Sequence, residues 1–126
     1  MMLTVSLALV ITQMSRFSFP CENTIVQRLA SPGSRHTAFL FERGCGATTG
    51  FSGHVSIVGS GSTPNGAGNV LIAERKNGPS GSETYHGPSI IMRWQDETTL
   101  IVSLDPEARV FKQETVFGDI QVLYTD

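Results

Sequence analysis

The chain has 126 residues, of which 40% are hydrophobic and 16% charged, a balance that fits one folded domain and excludes a highly charged disordered tail. With 9 Lys and Arg against 11 Asp and Glu, the net charge is -2. The basic residues are scattered, so the electrostatic footprint of a nucleic-acid binder is missing.

The first segment, 1–20, is apolar and carries no charge before Arg16. Its apolar run has the length of a signal-peptide core and falls short of the roughly 20 apolar residues that cross a bilayer. No Lys or Arg precedes the run, and no small-x-small cleavage site follows it. Two other readings therefore stand beside a signal peptide. One is a buried first strand, because Leu3, Val5, Leu7 and Leu9 alternate with Thr4, Ser6 and Ala8. The other is a short membrane anchor. The expectation is export to the periplasm or cell envelope. Residues 1–20 then form a signal peptide or hydrophobic N-terminal segment, 21–126 form the domain, and only 1–20 meets a membrane.

Export would put Cys21 and Cys45 in an oxidising compartment, where they would pair. The closed loop of about 25 residues would then stabilise the fold by about 3.5 kcal/mol through chain entropy. Two reduced thiols in a cytosolic protein are the alternative. A metal site lacks CxxC or paired-His spacing, and no cofactor motif occurs.

From Cys21 onward the pattern is that of strands. Residues 24–29 are rich in β-branched side chains, and Ser31, Pro32, Gly33 and Ser34 supply turn chemistry, with Gly33 suited to positive φ. The apolar run 36–43 completes a predicted hairpin. Alternation resumes at 54–58. Strands are also expected at 69–73, 89–94 and 99–104, separated by Gly/Ser/Pro-rich loops at 59–68 and 76–88. The tail, 108–115 and 120–124, reads as a last hairpin turning at Phe117, Gly118 and Asp119. Residues 106–109 could form one helical turn, and nothing else has capped helical periodicity. The fold class is all-β: a single small antiparallel sandwich or partly open barrel of about seven strands. Ile90, Met92 and Trp94, then Leu100, Val102 and Leu104, then Ile120, Val122 and Tyr124 each form one apolar face. Core packing is the ordinary role of such faces.

The run Cys45-Gly46-Ala47-Thr48-Thr49-Gly50-Phe51-Ser52, which follows an apolar strand, resembles a family of small, uncharacterised bacterial proteins that are exported or lipid-anchored. The resemblance extends over most of 21–124. It implies export and the Cys21–Cys45 pairing, and carries no activity. The Ser31-Pro32-Gly33-Ser34 turn is also similar to the turn of Tol-type propeller blades, as hairpin chemistry rather than fold.

Chemistry is sparse. Thr48, Thr49 and Ser52 offer hydroxyls in a glycine-punctuated turn whose amides could hold an anion or a peptide carboxylate. A β-bulge whose hydroxyls satisfy its own backbone competes with that reading. Cys45, His36, His54 and His86 supply the residue types of a nucleophilic enzyme without a known spacing. The glycine-rich 59–68 loop lacks the Gly-Lys-Ser/Thr ending of a phosphate loop. Asp96 and Glu97 are neighbours on a turn, not carboxylates facing one substrate from two sides. The expectation is a binding or structural module of the cell envelope, with an envelope protein or a peptide as partner and without catalytic residues, cofactor, metal or nucleic acid. An unrecognised hydrolase or thiol enzyme, and an inhibitor domain using the two long loops, are the alternatives.

Overall fold

The computed structural model describes residues 21–45, 51–76 and 85–126, so the apolar segment 1–20 lies outside the described residues. The strands are β1 (Glu22–Ala30), β2 (His36–Gly44), β3 (Phe51–Gly59), β4 (Leu71–Glu74) and β5 (Ile90–Asp96). They continue with β6 (Thr99–Leu104), β7 (Arg109–Gln113), β8 (Val116–Phe117) and β9 (Ile120–Thr125). A five-stranded sheet runs β1-β2-β3-β4-β7, and a four-stranded sheet runs β5-β6-β9-β8. The two pack face to face without closing into a barrel, so the domain is a small β-sandwich.

The expected β1–β2 hairpin forms, with Glu22 opposite Gly44 and Ala30 opposite Thr37, and with a register shift between Ile25 and Gln27. Its turn differs in one detail. Ser34, not Gly33, takes the left-handed φ of 59°. Ser34 N–H donates to the Ser31 carbonyl at 2.8 Å, which fixes the turn.

Three expectations about the tail need correction. It is not one hairpin, because β7 leaves to pair with β4 in the five-stranded sheet while β8 pairs with β9. β9 also runs parallel to β6, the only parallel pair among the described strands. Residues 106–109 make no helix; Ala108 N–H and Glu107 N–H both return to Asp105 and form a turn. The turn expected at 117–119 does form, with Phe117 opposite Ile120 and Gly118 at a φ of 61°; what the local pattern missed was the partner of β7, which tertiary pairing sets.

The core fills the space between the sheets. Ala38, Leu40, Val55, Ile57, Val70, Leu71 and Ala73 face Ile90, Met92, Leu100, Val102, Leu104, Ile120 and Val122. The three apolar faces expected from the sequence therefore share one interior, with Trp94 and Tyr124 half-buried at its margin. Strands β5 and β9 follow the buried–exposed alternation of a sheet with one wet face. Strands β2 and β3 do not. Residues 38–42 and 53–57 are buried without interruption, and on the outer face Phe39, Phe41, His54 and Ser56 are also covered. Each phenylalanine buried there contributes on the order of 1.5–3 kcal/mol.

Strand β1 is fastened at both ends. Before it, Cys21 forms a disulfide with Cys45, which follows β2. At its far end, Trp94 Nε1 donates to the Leu29 carbonyl at 2.9 Å. Beyond that, Ser31 Oγ donates at 2.6 Å to the Glu97 carboxylate, which also accepts from Gly33 N–H and from Arg35 N–H at 3.2 Å. These bonds, that of the Ser31 hydroxyl foremost, hold Glu97 below the usual carboxylate pKa. Glu97 thus links the β5–β6 turn to the β1–β2 turn, whereas its neighbour Asp96 serves only its own turn through Thr98.

Candidate functional site

The hydroxyl-rich run around Cys45 divides into what the structure describes and what it does not. Thr48 and Thr49 lie outside the described residues. Cys45 is spent in the disulfide, so no thiol remains as a nucleophile. Ser52 lies on β3 opposite Arg43, on the outer face of the five-stranded sheet. Its Oγ is 2.6 Å from His54 Nε2.

That pair has the look of a serine–histidine dyad, but its proton is in the wrong place. Gly68 N–H donates to His54 Nδ1 at 2.8 Å. A neutral imidazole has one N–H, so with Nδ1 accepting, the proton sits on Nε2 and is donated to Ser52. Burial, and then the positive charge of Arg43, hold the His54 pKa down to about 4. The ring is therefore neutral at pH 7 and cannot take the Ser52 proton through the nitrogen that faces it. Ser52 keeps its own hydrogen as a donor, and the pair is structural.

Residues 66–69 are strapped across this face. Asn23 Nδ2 donates to the Gly66 carbonyl at 2.9 Å, and Arg43 Nη1 donates to Asn23 Oδ1 at 2.7 Å. Asn69 bonds both the Ile57 backbone and Ser56 Oγ. Gly68 has no space for a side chain, because a Cβ would meet the Leu71 carbonyl oxygen and His54 Cβ. The 59–68 loop, read from its composition as a plain connection, thus covers His54 with its last residues.

A second polar cluster closes one end of the sandwich. His86 Nδ1 donates to the buried Glu42 carboxylate at 2.6 Å. Phe51 stacks on the His86 ring with centroids 4.7 Å apart. Beside them, Tyr85 donates to the Pro88 carbonyl at 2.8 Å, and its hydroxyl occupies the space a side chain on Gly53 would need. Burial, and then the Glu42 charge, raise the Tyr85 pKa against a smaller opposing effect of Arg75, so the phenol stays protonated. The Glu42–His86 pair has no local signature, because the two residues are 44 positions apart. No group of three His, Cys, Asp or Glu ligands occurs among the described residues. His36 remains at the start of β2, away from both clusters, with its Nδ1 buried and unpartnered among the described residues.

The third feature is a groove of about 430 Å3, within the roughly 300–1,000 Å3 typical of ligand sites. Leu29, Ala30 and Pro32 form one wall, and Ile91, Arg93 and Trp94 form part of the other. It is mainly apolar, and Arg93 is the one charged residue among the described residues that line it. None of Ser52, His54, Glu42 and His86 lines it. Residue-level reasoning placed Trp94 in the core and left Arg93 without a role. The missed signal was the exposed alternate face of β5, where Ile91 and Arg93 stand between Ile90, Met92 and Trp94.

Comparison with family models, with curated proteins and with solved structures finds no match to this chain.

Proposed function

We propose that the chain is a binding module of an exported, oxidising compartment, a bacterial cell envelope, and not a hydrolase or a thiol enzyme. The Cys21–Cys45 disulfide supports export, since such bonds persist in oxidising compartments. The resemblance of 45–52 to exported bacterial proteins points the same way. The observation that carries the binding reading is the separation of concavity from chemistry. The groove beside Trp94 is apolar and holds no acid–base pair, while the polar pairs around Ser52 and Glu42 are locked into structural bonds elsewhere.

Mass measurement of the purified, folded protein tests this. No cysteine should be alkylated before reduction and two should be alkylated after it, and the mature chain should begin downstream of the apolar run. A Cys45 that alkylates readily in the unreduced, folded protein would overturn the reading and restore the thiol enzyme.

A further inference from the structure

We propose that the free edge of β5 takes up an extended acidic segment of a partner protein, as an additional strand of the four-stranded sheet with a carboxylate set on Arg93. The proposal rests on the binding-module reading and names its ligand class.

The hydrogen-bond phase of the β5–β6 ladder leads to it. Asp105 N–H donates to the Ser89 carbonyl at 3.0 Å. In an antiparallel ladder, bonded pairs alternate with non-bonded ones. The bonded pairs are therefore Ile91 with Ser103 and Arg93 with Ile101, given the observed register. Ile90, Met92 and Trp94 turn their amides and carbonyls the other way, away from β6. β5 ends the sheet on that side, and among the described residues no backbone hydrogen bond reaches those groups. They form a template for strand addition.

The surroundings define what would pair there. The groove runs beside this edge, between the Leu29–Pro32 wall and the β5–β6 face, and its apolar lining suits apolar side chains at alternate positions. Arg93 has no carboxylate partner among the described residues, and the groove lining contains no acidic residue. The two nearby carboxylates, Asp96 and Glu97, are held by Thr98 and by Ser31, Gly33 and Arg35. An incoming carboxylate therefore meets one uncommitted guanidinium. Arg93 sits in the middle of β5, and the register shift between Trp94 and Asp96 ends regular pairing beyond it. A terminal carboxylate at Arg93 would leave half of the open edge unpaired, so an internal Asp or Glu side chain fits better. A single arginine on an edge can also serve merely to repel other strands, and the experiment separates the two roles.

Trp94 is the chain's one tryptophan and lines the groove, so its fluorescence reports occupancy directly. The full chain is titrated with a blocked peptide that alternates valine and threonine around one central glutamate. A saturable change in Trp94 emission is expected. The glutamine analogue should bind about five-fold more weakly, the scale of one exposed ion pair. N-methylation of alternate peptide bonds should abolish binding, because it removes the main-chain donors. Arg93→Glu, on an exposed face and so expected to keep the fold by circular dichroism, should lose the glutamate peptide and gain the lysine one. Equal binding of the glutamate and glutamine peptides, or binding that survives N-methylation, would overturn the proposal. So would a response to decanoate alone, or a self-associated dimer in sedimentation that excludes the peptide. No binding of any peptide would leave Arg93 as an edge guard and overturn it as well. Disulfide mapping by mass is independent of these titrations, so the underlying reading stands or falls separately.

Discussion

The middle of the five-stranded sheet and the edge of the four-stranded sheet handle the same problem differently. β2 and β3 have neighbours on both sides, and buried side chains on both faces. Even their polar groups, Glu42, His54 and Ser56, are enclosed and bonded. Among the described strands β5 has one neighbour, with one buried face and one face where Ile91 is 62% exposed. Enclosure makes the first region a scaffold in which His54 is fixed in a single proton arrangement. Openness makes the second a surface with backbone groups to offer. Groups with familiar catalytic identities sit in the first region, and the features suited to recognition sit in the second.

The sharpest way to break this contrast is a pair of truncations. Phe41→Ala empties a fully buried site stacked on His54 and should cost about 3–5 kcal/mol by urea denaturation. Ile91→Ala on β5 should stay within about 0.5 kcal/mol. Similar losses at both sites would erase the distinction. Next in size is the disulfide. Its sequence separation is 24 residues, and exchanging both cysteines for serine should cost about 3.5 kcal/mol by the loop-entropy argument, read as a lowered urea midpoint.

His54 gives an effect of comparable size that depends on pH. Above pH 6.5 the ring is neutral in both states. As pH falls, the unfolded chain binds a proton that the folded ring refuses until about pH 4. Stability should therefore decline between pH 6.5 and 4, by on the order of 3 kcal/mol in total. Urea midpoints at a series of pH values should lose that part of the slope in His54→Gln, whatever the substitution costs at pH 7. A smaller effect than these concerns the edge. Trp94→Phe removes the Nε1 donor to Leu29 together with part of a ring packed against the core, and should cost about 1–2 kcal/mol.

The sequence carried the fold wherever one element's pattern was enough. The β1–β2 hairpin, the alternation of 90–94 and the three apolar faces were all visible, because period-2 burial and turn residues are local signals. The departure of β7 to the other sheet and the parallel β6–β9 pairing were not, since strand partners depend on the whole core. The apolar run 36–43 marked β2 as a strand of the first hairpin, without showing that both its faces are covered. The site was less legible. Ser52 was singled out for its hydroxyl, but its role depends on Gly68 and on the proton position of His54, neither of which has a local signature. Glu42 and His86 meet only through the fold. Arg93 and the open backbone of β5 become visible only once hydrogen-bond phase and sheet order are known.

Covalent attachment at one terminus of β1 and side-chain clamps at the other have a kinetic consequence. A strand held at a single point frays from its loose end, whereas this one can part from its neighbour only by bowing outward in between. Deuterium uptake along Glu22–Ala30 should be fastest around Val26, where the register slips, and slow toward both termini. The weakest place in the outer rim of the five-stranded sheet is thus its midpoint.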